Sequence, residues 1–241
     1  IYHVRGLPLL TATGRLRTVL RATESVACLC AHDVVTVSAS LADAMRESGI
    51  AGAASARVLA SGSSNGVDTE RFVPGRSKLE ARVELGLPEH AEVVACVGRL
   101  VRDKGIEELL EAWRSLRHEG RVLFLVGPVE ERDPLGDSVL QEIAQDPSIV
   151  HLPFTEDMPT VYAASDLVVL PSRREGFPNV PLEAAAMALP VVTTDAVGCV
   201  DSVVPNQTGA VVSVQHPQEL ERAMRTYLDD PELRIRHGQA G

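Results

Sequence analysis

Two glutamates eight residues apart, Glu175 and Glu183, bracket the loop Glu-Gly-Phe-Pro-Asn-Val-Pro-Leu-Glu. Gly176, Phe177, Asn179 and Val180 can offer backbone N–H groups there, just where a helix is expected to begin. A helix N-terminus favours an anion. Carboxylates on either side of an anion site do nothing for the anion itself. They suit a ligand carrying hydroxyls beside its phosphate, that is, a phosphate-linked sugar. Taken singly, Glu175 reads as a helix cap and Glu183 as a solvated surface residue.

A second loop, Gly98-Arg99-Leu-Val-Arg-Asp-Lys104-Gly105, carries the opposite charge. An arginine fork holds two phosphate oxygens at once, and a lysine acts as a mobile point charge. Gly98 lets a bulky group approach the backbone, and Gly105 opens the next helix. Either cation alone would be an ordinary surface charge. Together with the glutamates they form a coherent set. Breaking a sugar–diphosphate bond develops positive charge on the sugar and negative charge on the leaving phosphate. Cations and a helix N-terminus at the phosphate would stabilise that separation. The sequence has no DxD spacing of acidic metal ligands, so the two cations are expected to stand where a divalent metal otherwise would, and neither a metal site nor a cofactor is expected.

The elements that must position these residues follow from pattern. Leu167 to Leu170 is a short apolar run, β-branched in the middle, as in a strand buried on both faces. Val180 to Leu189 favours helix through Leu182, Glu183, Met187 and four alanines, and Pro181 places its first turn. Pro190-Val-Val-Thr-Thr returns as a strand. The result is a βαβ unit whose loop lies at the carboxyl end of a parallel strand, where ligands bind in open α/β sheets. Val93–Val97, Val122–Val126 and Ile149–Leu152 read as further strands, with helices from Ile106 to about His118, up to about Gln145, and from Met158 to Ala164. After Asp195 a helical turn at Asp201–Val204, a strand at Ala210–Val214 and a helix at Pro217–Leu228 are expected. Alternation throughout predicts a doubly wound parallel sheet.

The first sixty residues read as strand (Ile1–Val4), loop, helix (Arg15 to about His32), strand (Asp33–Ser38), helix (Leu41–Ser48, capped by Ser40) and strand (57–61). Leu16, Val19, Leu20 and Ala27 are expected to share one face of the first helix. Ser61 to Gly75, rich in Ser, Gly and Asn-Gly, marks a boundary.

Three stretches together resemble glycosyltransferase family 4, the retaining glycosyltransferases of the GT-B fold. They are Glu175-x7-Glu183 with its Ala-rich helix and Pro190-Val-Val, Gly98-Arg99-x4-Lys104-Gly105, and Asn65-Gly-Val-Asp68-x3-Phe72. The resemblance implies an α/β, GT-B type fold: a complete C-terminal Rossmann-like domain at 78–241, an interdomain linker at 61–77, and at 1–60 the tail of an acceptor-side N-terminal Rossmann-like domain. The chain opens Ile-Tyr-His-Val-Arg without an initiating Met and reads as a fragment, with roughly a hundred residues of that domain upstream on ordinary domain sizes. By the same resemblance Glu175, Arg99 and Lys104 would be the catalytic set. Gly98, Gly176, Phe177, Asn179, Val180, Glu183 and Arg5 would bind substrate, Glu183 through the nucleotide ribose. Transfer would retain the anomeric configuration, from a nucleotide-diphosphate sugar to a sugar or lipid-linked acceptor, in polysaccharide synthesis. The chain departs from the pattern where relatives carry His-Gly and this one has Arg5-Gly6. It departs again at Gly198-Cys199-Val200-Asp201, where relatives often have two glycines and a Glu, and at Pro153, where they usually have Gly.

Composition bounds the rest. At 241 residues, 45% apolar and 23% charged, the chain suits an α/β protein of one or two domains, and a net charge of −10 argues against a nucleic-acid binder. Four cysteines without a CxxC pair fit a reducing cytoplasm better than a disulfide scaffold. No segment approaches the ~18 apolar residues of a membrane span, and no signal-peptide pattern is read. The first 57 residues hold six basic against four acidic side chains, including Arg15, Arg17 and Arg21 within two helical turns. Such a surface suits peripheral contact with an anionic membrane or a pyrophosphate-linked acceptor, and equally an ordinary solvated helix face. A nucleotide-sugar-binding but non-catalytic fragment and a GT-B-like UDP-sugar epimerase stand as alternatives. An NAD-dependent dehydrogenase does not, because no GxGxxG follows a strand.

Overall fold

The computed structural model describes residues 1–63, 65–131 and 133–241. Ser64 of the expected linker and Arg132 lie outside the described residues. Contacts divide the chain into two units. The first is Ile1–Gly66 with Arg174–Asn179 and Val197–Ser202, and the second is Val67–Arg173 with Val180–Ala196 and Val203–Gly241.

The first unit is built on strands β1 (Tyr2–Val4), β2 (Val34–Thr36) and β3 (Arg57–Val58), parallel in that order, with helices α1 (Gly14–Cys30) and α2 (Ala39–Glu47). One expectation fails here. Ser38, not Ser40, caps α2 by accepting from Leu41 N, because Ser38 holds the extended backbone a cap needs. Ser40 instead bonds Asp201 through both its hydroxyl and its amide. On the apolar face of α1, Leu20 and Ala27 are half-buried while Leu16 and Val19 are exposed. Leu16, Val19, Val26 and Leu29 are 57–66% exposed, while Cys28 is the buried residue of that helix. Val19 and Cys28 stand nine residues apart, two and a half turns, hence on opposite faces. Cys28 faces inward because it packs against Gly52, where an added Cβ would lie 3.0 Å from the Cys28 Cβ.

The second unit holds six strands: β4 (Glu92–Val97), β5 (Arg121–Val126), β6 (Ile149–Leu152), β7 (Leu167–Leu170), β8 (Val191–Thr194) and β9 (Gly209–Val212). All pair in parallel, in the order β6-β5-β4-β7-β8-β9. Helices α3 (Lys78–Glu84) and α6 (Met158–Ala164) cover one face, while α4 (Ile106–Arg114), α5 (Asp137–Gln145) and α8 (Pro217–Asp229) cover the other. The period of two does the sorting. Val94 and Cys96 of β4 face Trp113, Leu109 and Met224, whereas Val93 and Ala95 face the layer of Ala81, Val161 and Tyr162. Strands buried on both sides explain the unbroken apolar runs.

Helix α7 runs Asn179–Ala186, with Pro181 in its first turn; it starts one residue earlier and ends three earlier than the sequence suggests. The left-handed Ala188 (φ 56°) and Pro190 end it. Helices α3 and α9 (Pro231–Gln239) are not legible in the sequence, being short and polar. Asp166 locks β7 into place. Its Oδ2 accepts from Val93 N (2.7 Å) and from the Arg82 guanidinium (2.6 Å), and its Oδ1 from Lys78 (2.6 Å). Among the described residues no helix is long and apolar enough to cross a membrane.

Candidate active site

Strand order dictates where a ligand can sit. From β4 the chain steps outward to β5 and β6, then returns to place β7, β8 and β9 on the other side of β4. The order reverses between β4 and β7, and in doubly wound sheets the crevice at that point, beyond the carboxyl ends of the strands, receives the ligand. The loop Gly98–Gly105 leaves β4 there, and Pro171–Arg173 leaves β7.

Both exits are held firmly. Gly105 adopts φ 69° as the N-cap of α4, and a Cβ on it would lie 2.1 Å from the Pro171 carbonyl oxygen. Only glycine allows that approach. Arg173 N donates to the Asp103 carbonyl (2.8 Å), and its guanidinium grips Glu108 Oε1 at the start of α4 (2.7 and 3.1 Å). On β8, Thr193 and Thr194 donate their hydroxyls to Leu170 O (2.9 Å) and Ser172 O (2.6 Å). On the other flank, Leu100 N donates to Pro128 O (2.8 Å) and Asp103 N to Asp133 Oδ2 (2.8 Å).

This scaffold displays the two expected cations. Lys104 runs its stem beside Gly98, whose missing Cβ would meet Lys104 Cε at 3.8 Å, so the space over Gly98 is bordered by the lysine. Burial pushes the Cys96 thiol up to about 12, with the Lys104 ammonium pulling the other way. That thiol is structural. Arg99 is half exposed and pairs with Glu130 (2.8 Å), a partner the sequence did not suggest.

Glu183 is not a freely solvated residue. Its Oε2 accepts from the Tyr162 hydroxyl at 2.7 Å, and Tyr162 is fully buried. Burial, then the Glu183 carboxylate, hold that phenol well above its ordinary range, so it remains a donor. Val180 lies half-buried in the first turn of α7.

In the first unit Glu175, Gly176, Phe177 and Asn179 gather with Arg5. Gly176 packs so tightly that an added Cβ would sit 1.8 Å from Arg5 O. Ser38 donates its hydroxyl to Gly176 O (2.7 Å), and Glu175 N donates to Val197 O (2.8 Å). The Arg5 guanidinium donates to Asn65 Oδ1 (2.7 Å), tying it to the Asn-Gly turn. Phe177 is buried. Asn179 Oδ1 is buried without a hydrogen-bond partner among the described residues, an acceptor that calls for a donor from elsewhere. Sequence reasoning missed Tyr162, Arg173 and Glu130. Nothing in their local pattern marks them, since each acts through a partner at least 21 residues away.

Residues 77–241 match the family model for glycosyl transferases group 1. The chain is 34% identical over 243 residues to the capsular polysaccharide biosynthesis glycosyltransferase CapM of Staphylococcus aureus, covering 100% of this chain and 64% of that protein. It therefore spans less than two thirds of that relative's length. Among solved structures, Anabaena Alr3699/HepE in complex with UDP and glucose superposes with a TM-score of 0.82 at 25% identity, over 99% of this chain and 64% of that one. The C-terminal domain of a group 1 glycosyl transferase, LpcC of Francisella tularensis, superposes with a TM-score of 0.66 at 26% identity, over 73% and 94%.

Proposed function

The chain belongs to the glycosyl transferases group 1, with the GT-B fold, and from that premise we propose that it binds a nucleotide-diphosphate sugar and serves transfer of the sugar to a lipid-linked or polysaccharide acceptor. The observation that carries this reading is the cationic loop Gly98–Gly105 at the strand-order reversal of the second unit. There Arg99 and Lys104 hold the diphosphate and stabilise the negative charge that grows on it as the sugar departs. Glu183, oriented by Tyr162, accepts from the ribose hydroxyls. From the family motif alone, Glu175 is given the role of orienting the sugar and Asn179 that of accepting a ligand hydroxyl. Retention of configuration follows the family. The HepE structure, solved in complex with UDP and glucose, supports a nucleotide sugar as ligand class. CapM supports a capsule or polysaccharide precursor as the acceptor, consistent with a chain that works at the cytoplasmic membrane face, where Arg15, Arg17 and Arg21 would meet anionic lipid.

Calorimetric titration with UDP, GDP and ADP tests the proposal. One diphosphate binds, and Arg99→Ala or Lys104→Ala weakens it about 10- to 100-fold, the loss of ~1.5–3 kcal/mol per charged hydrogen bond. Binding that survives both substitutions, or no binding by folded protein, overturns it. Because the chain spans 64% of CapM, donor binding without transfer is a second reading. Sugar transfer to a lipid-linked acceptor separates the two.

A further inference from the structure

The Arg99–Glu130 pair is more than a chance surface contact. Glu130 follows Val129, which bridges Leu100 in parallel, and Leu100 N donates to Pro128 O at 2.8 Å. Three residues later Asp133 accepts from Asp103 N through its carboxylate and from Arg102 N through its carbonyl. The segment after β5 is thus stitched to the Gly98–Gly105 loop on both sides of Glu130. That fixed backbone delivers Glu130 Oε2 to Arg99 Nη1 at 2.8 Å.

We infer that Glu130 is a built-in competitor of the donor diphosphate for Arg99, setting the affinity of the site from within. The inference rests on the donor-site reading above. Without ligand, the loop carries three cations, Arg99, Arg102 and Lys104, against one carboxylate, Asp103; Arg102 pairs with Glu107 and Glu130 neutralises Arg99. A diphosphate brings more charge and several oxygens, which a guanidinium fork can take two at a time. It must either displace the carboxylate or share the guanidinium with a like charge, and both weaken binding. The consequence is a moderated affinity, which favours release of the nucleotide product.

The test is titration of UDP, GDP and ADP, and of the parent nucleosides, into wild type, Glu130→Gln and Glu131→Gln at low ionic strength, where an exposed pair is least screened. Glu131→Gln removes the same charge from the adjacent position. Glu130→Gln is expected to bind its diphosphate roughly two- to five-fold more tightly, the range exposed ion pairs span. Nucleoside affinity stays unchanged, and Glu131→Gln stays near wild type. Equal or weaker diphosphate binding by Glu130→Gln, or equal tightening by Glu131→Gln, overturns the inference while leaving the donor site standing. Failure of the wild type to bind any diphosphate removes the donor-site reading and this inference with it.

Discussion

Gly105 and Gly86 offer a matched pair for asking what the close approach of the Gly98–Gly105 loop to the end of β7 is worth. Both residues are left-handed, at φ 69° and 67°. A Cβ on Gly86 meets nothing within 4 Å, whereas one on Gly105 lies 2.1 Å from Pro171 O and 2.8 Å from Pro171 C. Alanine in the left-handed region costs about 1–2 kcal/mol, partly offset by ~0.4–1 kcal/mol from the stiffer unfolded chain. Gly86→Ala should therefore lose about 1 kcal/mol or less. Gly105→Ala bears that strain and must also move the Pro171 carbonyl by about 1 Å to reach normal contact. The shift loosens the Arg173 N–Asp103 O hydrogen bond and the Arg173–Glu108 grip, worth ~1 and ~1.5–3 kcal/mol respectively. Partial loss of these puts Gly105→Ala about 2–4 kcal/mol below wild type. Urea denaturation followed by fluorescence of Trp113, the single tryptophan and buried in the second unit, reads both variants. Losses equal within ~0.5 kcal/mol would refute the argument that the backbone contact, rather than backbone conformation, requires glycine at 105.

Asp166→Ala should destabilise by ~3–5 kcal/mol in the same assay, because it strands the buried Arg82 guanidinium, with the two side chains 8% and 10% exposed. Asp146 gives a pH signature. Burial pushes its carboxyl up, but the Ser148 hydroxyl and amide and the Arg117 guanidinium outweigh this and hold it below the ordinary value. A depressed carboxylate contributes stability at neutral pH that is lost as pH falls through its folded value. The melting temperatures of wild type and Asp146→Asn should thus differ at pH 7 and converge below the ordinary carboxylate range; a gap that persists in acid would contradict the assignment. Leu16→Ser and Val26→Ser should each change stability by no more than about 0.5 kcal/mol, since both side chains are exposed; a loss above about 2 kcal/mol would mean α1 is buried after all.

Much of the molecule can be read without coordinates, and the limits have physical causes. Strands β4, β5, β7 and β8 are legible because burial on both faces forces unbroken apolar runs. The loops that follow β4 and β7 are legible because glycines and charges cluster at strand ends. The apolar stripe of α1 is legible as a stripe but not as a surface. Periodicity records which residues share a face and is silent on what that face meets. Ser38 and Ser40 are equally good caps by type, and only the extended backbone at Ser38 chose between them.

The alternation of elements and the clustering of glycines, cations and carboxylates at strand ends can be read from the chain, because they depend on neighbours within a few positions. Tertiary structure alone decided that β4 and β7 adjoin at the reversal of strand order. It also decided that Tyr162 orients Glu183, that Arg173 joins the β7 exit to α4, and that Glu130 sits on Arg99. Each of those partnerships spans 21 to 73 residues of chain, a separation over which only folding brings side chains to hydrogen-bonding distance.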